Sequence, residues 1–341
     1  MDDYDYELRP SAIAQTPVEP RDAARLLVAR ADAGARIEHR HVRDLADLLD
    51  PGDVLVVNET RVLPARLRFR KPTGGAVEVL LLERTDSGWW EALVKPSRKL
   101  PPGTIVDAGD GLKVEFGAVV SDAGGSTRLV HLHADGSEDD ALARHGVVPL
   151  PPYITAPLAD PERYQTVYGT TPASTAAPTA GLHLTHALLR RCEEKGIETA
   201  TVELVVGLDT FRPVTVDDPA DHVMHTERYR VPQTTRDACA NATGRVVAVG
   251  TTTLRALESA AATNENDGRT DLFVHGDYPF RIVDTLLTNF HLPRSTLLLL
   301  LDAFLGGGNG RWRELYEVAL ESNYRFLSFG DAMLVDRGVL R

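Results

Sequence analysis

The sequence predicts an α/β fold in which a larger mixed α/β domain carries an inserted small antiparallel β-barrel domain. The chain has 341 residues, more than one hydrophobic core usually serves. Between about residues 67 and 135, short β-prone runs are separated by Gly and Asp turns. Strand-like and helix-like segments alternate on both sides of that stretch. The predicted bounds are 1–65 and 150–341 for the α/β domain and 66–149 for the β-barrel domain.

The individual elements follow from hydrophobic spacing along the chain. Residues 21–31 are predicted to form a short helix, and DVLVVN at residues 53–58 a buried strand. The runs AVEVLLLE, WWEALV, LKVEF and RLVHLH predict the strands of the small domain. The prolines of VVPLPPYI, residues 147–154, disfavour regular structure and mark the return to the α/β domain.

Three turns in the α/β domain connect a strand directly to a helix. RVVAVG at residues 245–250 is followed by TTT and the helical pattern LRALESAAA, and TNFHLPR precedes a helix that Ser295 caps. AAPTAGLHLT likewise leads into HALLRRCEEKG. The unpaired N–H groups and positive dipole end of such helices suit an anionic or polar ligand. The small residues around Gly181 therefore predict either one wall of a pocket or a tight turn packed on neighbouring backbone.

The net charge and the distribution of basic residues give opposing indications about a polynucleotide partner. A formal net charge of −12 disfavours a polynucleotide partner if the charge is evenly spread. Basic residues are nevertheless concentrated in RVLPARLRFRK, residues 61–71, and VKPSRK, residues 94–99, which predict either an anion-binding face or a solvated surface. The longest apolar run is far shorter than the roughly 20 residues of a membrane span, so we expect a cytoplasmic protein with no membrane partner.

Histidines and acids in two segments are further candidates for chemistry. DHVMHTE places His222 and His225 three residues apart, next to Asp221 and Glu227. Acid–base work, hydrogen bonding to a substrate, or a structural role all fit this pattern better than a metal site, because a third nearby ligand is missing. We therefore expect no metal. Near the C-terminus, NYRFLSFGDAML brings Arg325 and an acid close to a glycine turn.

Nine motifs distributed along the chain are informative when taken together. In chain order they are YDYELRP, NETRVLPARL, PLPPYI, ERYQTVY, AAPTAGLH, DHVMHTE, GTTTLRALES, TNFHLPRSTL and YRFLSFGDAML. The set resembles the S-adenosylmethionine:tRNA ribosyltransferase-isomerase family of the queuosine pathway, over essentially the whole chain and in the family's order.

The resemblance implies a fold, a reaction and partners. The fold would consist of two domains, of which the smaller is an inserted β-barrel. The reaction would transfer and isomerise the ribosyl part of S-adenosylmethionine onto 7-aminomethyl-7-deazaguanine in the tRNA anticodon, giving epoxyqueuosine and releasing adenine and methionine. S-adenosylmethionine would be a substrate, with no separate cofactor, and the protein would be a monomer or homodimer.

Site roles are assigned as hypotheses from the motifs and the reaction that the resemblance implies. The expected catalytic residues are His183, His291, Asn289, His222, His225 and Asp331. The expected substrate-binding residues are Thr179, Gly181, Asp209, Glu227, Thr251, Thr252, Arg255 and Arg325. The basic residues expected to face tRNA are Arg61, Arg66, Lys95, Arg98 and Lys99.

Several positions depart from the family pattern, including Leu184, Ala173 and Thr175. Val205 stands where the family usually has His, Asp209 where it has Gly, and HGDY at residues 275–278 where it has Tyr-Pro-Gly-Tyr. These departures leave open a family member that uses S-adenosylmethionine on a small-molecule acceptor or only cleaves it. A silent tRNA- or ligand-binding protein is a third hypothesis, against which the retained His183, His291 and Asp331 argue.

Overall fold

The structure is a computed structural model that describes residues 1–30, 36–121, 127–207, 216, 218–222, 224, 226–308 and 310–338. The chain divides into two compact units. The large unit comprises Met1–Arg61, Pro152–Thr171 and Ala177–Arg341, and the small unit comprises Val62–Pro151 and Pro172–Ala176. The small unit thus includes residues 172–176, which the sequence pattern assigned to the α/β domain.

The described residues form these strands and helices. The strands are β1 Arg25–Ala29, β2 Ile37–His41, β3 Val54–Asn58, β4 Thr60–Val62, β5 Arg66–Arg70, β6 Ala76–Arg84, β7 Trp90–Lys95, β8 Thr104–Gly109, β9 Leu112–Ser121, β10 Thr127–Ala134, β11 Gly146–Val147, β12 Thr171–Ser174, β13 Glu198–Leu204, β14 Glu227–Arg230, β15 Val246–Val249, β16 Asp267–Thr270, β17 Thr285–Asn289 and β18 Ala332–Asp336. The α-helices are α1 Leu45–Leu48, α2 Glu138–His145, α3 His186–Glu194, α4 Gln233–Asn241, α5 Thr251–Thr263, α6 Thr296–Phe304 and α7 Arg311–Glu321. Short 3₁₀ helices include Arg21–Ala23, Ser97–Lys99 and Thr179–His183.

The large unit is built on a mixed sheet, which confirms the predicted mixed α/β class. Its described strands are ordered β16-β14-β13-β3-β15-β17-β18-β1-β2. The four neighbours β13, β3, β15 and β17 are parallel, whereas β18 runs antiparallel to β17. The carboxyl ends of those four strands therefore lie at one edge of the sheet. Apolar residues of these strands, among them Leu55, Val57 and Val247, are fully buried in the core.

The small unit is built on a curled antiparallel sheet. Its described strands are ordered β11-β5-β6-β7-β10-β9-β8. β5 and β8 also contact each other. Burial alternates along β10, where Arg128, Val130 and Leu132 are buried and the residues between them are not, as expected for a sheet with one face on the core. Closure of this sheet into a barrel stays a prediction.

The helix predicted over residues 21–31 is wrong. A 3₁₀ turn at Arg21–Ala23 is followed by strand β1, which pairs with β18 on one side and β2 on the other. Leu26, Leu27 and Val28 are each at most 1% exposed. The apolar run in β1 is continuous and buried on both faces of the sheet. It therefore shows neither the helical repeat of an amphipathic helix nor the alternation of a half-exposed strand, so hydrophobic spacing alone could not distinguish a helix from a strand. Among the described residues, no helix is long and apolar enough to cross a membrane.

Candidate active site

A cavity in the large unit lies where the parallel strands end. The space between its lining residues, including the part that is open to solvent, is about 620 Å³. Residues 250–252 line it directly after β15, residues 288–291 line it at the end of β17, and residues 177–180 form a further wall. Ligands of open α/β sheets bind at the carboxyl ends of the strands. The stretch around AAPTAGLH therefore includes a pocket wall, one of the two alternatives that its sequence left open.

Helix α5 begins at this cavity, as the strand–turn–helix pattern predicted. Its N-cap is Gly250 at φ 92°, a conformation that strongly favours glycine. Thr251 and Thr252 line the cavity and are 6% and 8% exposed. The amide of Asn58, at the end of β3, donates to the carbonyl of Leu204 at 3.0 Å and to Oγ1 of Thr252 at 3.4 Å. A helix N-terminus and an oriented hydroxyl thus face the same space, which suits an anionic or polar group.

A buried hydrogen-bonded chain connects Thr179, Asn289 and His183. Oγ1 of Thr179 donates to Oδ1 of Asn289 at 3.2 Å, and Nδ2 of Asn289 contacts Nε2 of His183 at 3.0 Å. Because Nδ2 is always a donor, Nε2 of His183 accepts, and the neutral ring carries its proton on Nδ1. Thr179 and Asn289 line the main cavity, whereas His183 lines a second one of about 220 Å³.

The electrostatic surroundings keep His183 neutral. Burial, followed by the charges of Arg325, Arg163 and Arg21, lowers the pKa of His183 to about 4. Arg21 and Arg163 line the smaller cavity together with His183. At neutral pH this imidazole is therefore a hydrogen-bonding group rather than a cation.

His291 lines the main cavity and is held through its backbone by two tyrosines. Its N–H donates to Oη of Tyr316 at 2.8 Å, and Oη of Tyr6 donates to its carbonyl at 2.5 Å. The two tyrosine rings pack edge to face at 5.1 Å. Nε2 of His291 contacts Oγ1 of Thr288 at 3.0 Å. Burial lowers the pKa of His291 to about 3, so this ring is neutral as well.

Leu327 closes the other side of Asn289 in an uncommon backbone conformation. It has φ 68°, which is rare for a residue other than glycine. Its carbonyl accepts from Asn289 at 3.3 Å, and its N–H donates to the carbonyl of Phe290 at 3.2 Å. Such conformations persist where surrounding contacts fix them, and they are frequent at functional sites.

Asp331 and Arg325 brace the loop that holds Leu327. The carboxylate of Asp331 accepts from the backbone N–H of Arg25 at 2.9 Å and of Arg325 at 2.8 Å. Nη1 of Arg325 donates to the carbonyl of Thr16 at 3.1 Å. Neither residue lines the main cavity. The structure thus places both behind the wall, where they hold backbone and, for Arg325, lower the pKa of His183.

Glu227 and Arg255 form a buried ion pair. Their side chains are 8% and 6% exposed, and Nη1 of Arg255 contacts Oε2 of Glu227. Nε of Arg255 donates to the carbonyl of Leu272 at 3.0 Å, and the N–H of Gly207 donates to Oε1 of Glu227 at 3.3 Å. The pair does not line the main cavity, but Val206, the residue before Gly207, does.

The remaining predicted residues lie in several places. Gly181 is buried in the 3₁₀ helix, where an added Cβ would come within 1.9 Å of Oη of Tyr168. The ring of His222 packs on Phe273 at 5.4 Å. Asp209 and His225 lie outside the described residues. Of the basic residues, Arg61 pairs with Glu162 at 2.6 Å in the large unit, and Arg66 is half-buried in the small unit, where Lys95, Arg98 and Lys99 are exposed.

Three polar residues of the site were not among the sequence candidates. Oη of Tyr153 contacts Oγ of Ser328 at 2.7 Å, and both residues line the main cavity. Asn58 orients Thr252 from the next strand. All three stand in quoted motifs, PLPPYI, YRFLSFGDAML and NETRVLPARL, so their only signal was the resemblance and not their spacing.

Comparison with known proteins decides the family. A family model described as "Queuosine biosynthesis protein" matches residues 1–335. The chain belongs to this family. The S-adenosylmethionine:tRNA ribosyltransferase-isomerase of Symbiobacterium thermophilum is 50% identical over 343 residues, covering 98% of this chain and 99% of that protein. The protein of the same name from Thermus thermophilus is 50% identical over 354 residues, with the same two coverages.

A solved structure supports membership of the queuosine biosynthesis family. The crystal structure of S-adenosylmethionine tRNA ribosyltransferase from Thermotoga maritima has a TM-score of 0.55 and 37% sequence identity, and it covers 98% of this chain and 99% of that chain. The resemblance inferred from the nine motifs is therefore confirmed. The neutral histidines, the threonines and the helix N-terminus described above belong to a queuosine biosynthesis protein.

Proposed function

We propose that the protein transfers and isomerises the ribosyl moiety of S-adenosylmethionine onto 7-aminomethyl-7-deazaguanine in tRNA, yielding epoxyqueuosine, adenine and methionine. The observation that carries this proposal is the cavity at the carboxyl ends of the parallel strands, with α5 beginning at its wall. Full-length relatives that are 50% identical carry the name of this activity.

The cavity has the chemistry that S-adenosylmethionine requires. Its walls are small, apolar or uncharged polar residues, which accept an adenosine without competing ion pairs. The N-terminus of α5 suits the methionine carboxylate, because its backbone N–H groups and dipole favour negative charge. The cationic sulfonium acidifies the adjacent 5′ carbon, whose proton a positioned base then removes.

The two histidines take complementary roles in this proposal. His291 lines the cavity, and its neutral ring can accept a proton or a hydrogen bond from the reacting ribose. His183, with its proton on Nδ1, fixes the orientation of Asn289, whose side chain lines the same space. Asp331, Arg325, Glu227 and Arg255 act through the backbone and loops that they hold, and they do not touch the reacting atoms.

The acceptor is proposed to be the tRNA anticodon region, which the small unit helps to bind. Lys95, Arg98 and Lys99 are exposed around the 3₁₀ turn at Ser97–Lys99, where they are accessible to phosphates. We retain the interpretation that residues 66–149, which lie within this unit, form an inserted β-barrel. A cytoplasmic protein that acts as a monomer or homodimer, with no added cofactor, completes the proposal.

One experiment tests the reaction and its acceptor. Purified protein, in buffer without added cofactor, is mixed with S-adenosylmethionine and with tRNA that lacks queuosine, and adenine, methionine and modified nucleoside are measured by mass spectrometry. Release of adenine and methionine with appearance of epoxyqueuosine in tRNA supports the proposal. Fully queuosine-modified tRNA is the matched control and should give no product.

The other hypotheses predict different results in the same assay. Adenine release that is independent of tRNA would favour the small-molecule or cleavage alternative. A melting temperature that does not rise with S-adenosylmethionine, in the presence and absence of tRNA, would favour a silent tRNA-binding protein. Replacing Val205 by His and Asp209 by Gly tests whether the family departures restrict the acceptor. A higher transfer rate to tRNA in that double variant is expected if they do.

A further inference from the structure

The outward face of the small unit carries a cluster of two histidines and a glutamate. His131 and His133 lie on β10, and Glu115 lies on β9 directly opposite His131. Residues two apart on a strand project to the same face, and an opposite residue on the neighbouring strand shares that face. One ligand atom from each of the three side chains lies within 4.8 Å of the other two.

We propose that Glu115, His131 and His133 bind a divalent transition-metal ion of the Zn²⁺ type. Two imidazole nitrogens and one carboxylate oxygen form a donor set that zinc sites use, with a water as the fourth ligand. Ligand atoms of a tetrahedral zinc site lie roughly 3.3 Å apart, given metal–nitrogen bonds of about 2.0–2.1 Å. In this proposal, rotation of the Glu115 and His133 side chains shortens the observed separations, which are at most 4.8 Å, to that geometry.

The contacts within the cluster already orient two of the ligands. Nε2 of His133 contacts Oε2 of Glu115 at 2.8 Å, and the rings of His131 and His133 lie 4.5 Å apart. The ring of Trp89 packs on His131 at 5.3 Å and limits its rotation. Nδ1 of His131 is buried and has no hydrogen-bond partner, so a structural hydrogen bond at that nitrogen does not explain this histidine.

The charges on the same face are compatible with a cation. Lys113 is the residue opposite His133, and Asp107 on β8 is opposite Lys113. Asp107 and Glu115 are both on the outward face, so the lysine charge is flanked by acids. The contact between the exposed His133 and the half-buried Glu115 would contribute little to stability by itself, whereas a metal ion would cross-link β9 and β10.

Co²⁺ reports on such a site because its visible absorption distinguishes tetrahedral from octahedral coordination. Full-length protein freed of metal by a chelator is titrated with Co²⁺ and then with Zn²⁺. We expect one Co²⁺ per chain with tetrahedral absorption, which Zn²⁺ displaces. His131→Gln and His133→Gln should each weaken Co²⁺ binding by at least about tenfold, since loss of even an outer-shell partner costs that much in known sites.

Two further variants serve as controls for this test. His186→Gln removes an exposed histidine of α3, and Lys113→Gln removes a charge beside the cluster, so both should retain the Co²⁺ spectrum. Glu115→Gln should weaken binding as the histidine variants do. The proposal is overturned if the parent protein binds no Co²⁺, if the bound ion is octahedral, or if the His131 and His133 variants bind as the parent does. Circular dichroism of each variant establishes that it is folded.

Discussion

Asn289 donates its side-chain amide to Nε2 of His183 at 3.0 Å and to the carbonyl of Leu327 at 3.3 Å. Both protons of that amide are therefore used, and the remaining oxygen accepts from Thr179. This arrangement fixes three things at once: the tautomer of His183, the position of the Leu327 backbone, and the direction of a polar group at the cavity wall. An amide is required because a carboxylate has no proton to donate.

Asn289→Asp should lower the rate of adenine release without unfolding the protein. The new carboxylate accepts from His183 instead of donating to it, which moves the ring proton to Nε2 and raises the pKa of the ring. We expect kcat to fall by about 10²-fold, the lower end of effects for misplaced acid–base groups. Steady-state kinetics as a function of pH is the measurement, with Asn241→Asp, at the exposed end of α4, as the control. Unchanged kcat and pH profile would show that the tautomer is irrelevant to the reaction.

The buried histidines should make stability fall in mild acid. The folded-state pKa is about 4 for His183 and about 3 for His291, whereas an unfolded histidine titrates near about 6.5. Below pH 6.5 the unfolded chain therefore binds protons that the folded chain does not. The contribution of each histidine is fully present above pH 6.5 and is lost as pH falls towards the folded pKa. Its size is on the order of 3 kcal/mol for His183 and 5 kcal/mol for His291.

Urea unfolding between pH 4.5 and pH 8 measures this loss. His183→Gln and His291→Gln should each flatten the slope of unfolding free energy against pH, by up to one proton per chain. His186→Gln is the matched control, because His186 is exposed. Carboxylates add their own slope at the acid end, but the difference between parent and variant isolates the histidine. Identical slopes in all four proteins would contradict the prediction.

A side chain at residue 181 should destabilise the protein unless the hydroxyl of Tyr168 is removed. A Cβ at Gly181 would lie 1.9 Å from Oη of Tyr168 and 3.0 Å from Cγ2 of Thr166. Gly181→Ala should cost about 1–3 kcal/mol of unfolding free energy, as overpacking of a core does. The hydroxyl of Tyr168 is buried without a partner, so Tyr168→Phe should be neutral or stabilising.

A double-mutant cycle measured by urea unfolding tests this contact. The pair Gly181→Ala with Tyr168→Phe should be less destabilised than the sum of the two single variants, because the hydroxyl no longer obstructs the methyl group. Gly268→Ala is the control, since its Cβ would have only ordinary contacts, 3.5 Å from Tyr229. Additive effects on the free energy of unfolding would contradict the prediction, because they would mean that Tyr168 moves away from the added methyl group at no cost.

Removing Arg255 alone should be worse than removing the whole ion pair. Arg255→Met removes the cation that contacts the buried carboxylate of Glu227, at a cost of about 3–5 kcal/mol. Combining it with Glu227→Leu removes the buried negative charge as well and should recover most of that loss. Thermal or urea unfolding of the three variants is the measurement. A double variant less stable than Arg255→Met would contradict the prediction, because it would mean that the contacts of Glu227 outside the pair, such as the one from Gly207, outweigh the cost of burying its charge.

Much of the site could be predicted from the sequence because its chemistry follows local rules. Gly250 and the threonines stand where a strand leads directly into a helix, and that pattern alone places them at a ligand-binding edge. Thr179, Asn289 and His291 stand at the other two such turns, and the structure brings them to the same cavity. Two of these turns are neighbours because β15 and β17 are adjacent parallel strands, whereas the third follows β12 in a separate two-stranded sheet. Strand order is not a local property of the sequence.

Other features of the site depend on contacts between residues that are distant in the chain. Asp331 looked catalytic as an acid beside a glycine turn, yet its oxygens accept from Arg25, 306 residues away, and from Arg325. Tyr6 reaches the carbonyl of His291 over 285 residues. Residues so far apart in the chain show no characteristic spacing, so neither contact could be predicted from the sequence. The strand β1 was missed for a similar reason, since pairing on both sides overrides local preference.

Neutralising three basic residues of the small unit should weaken tRNA binding and reduce its salt dependence. Lys95→Gln, Arg98→Gln and Lys99→Gln together remove charges that we propose to contact phosphates. When a phosphate contact is lost, fewer counterions are released on binding. The magnitude of the slope of log K against log salt should therefore fall by about 1 per contact. Affinity for S-adenosylmethionine, whose proposed cavity lies in the large unit, should stay unchanged.

Filter binding or fluorescence anisotropy at several salt concentrations gives both affinity and slope. The matched control neutralises Arg43, Arg190 and Arg228, three exposed arginines of the large unit, and so changes the net charge by the same amount. If both triple variants lose affinity equally, the effect comes from overall charge, because an acidic chain made more acidic repels tRNA everywhere. A loss confined to the small-unit variant, with a shallower salt slope, is the result expected if these residues contact the tRNA backbone.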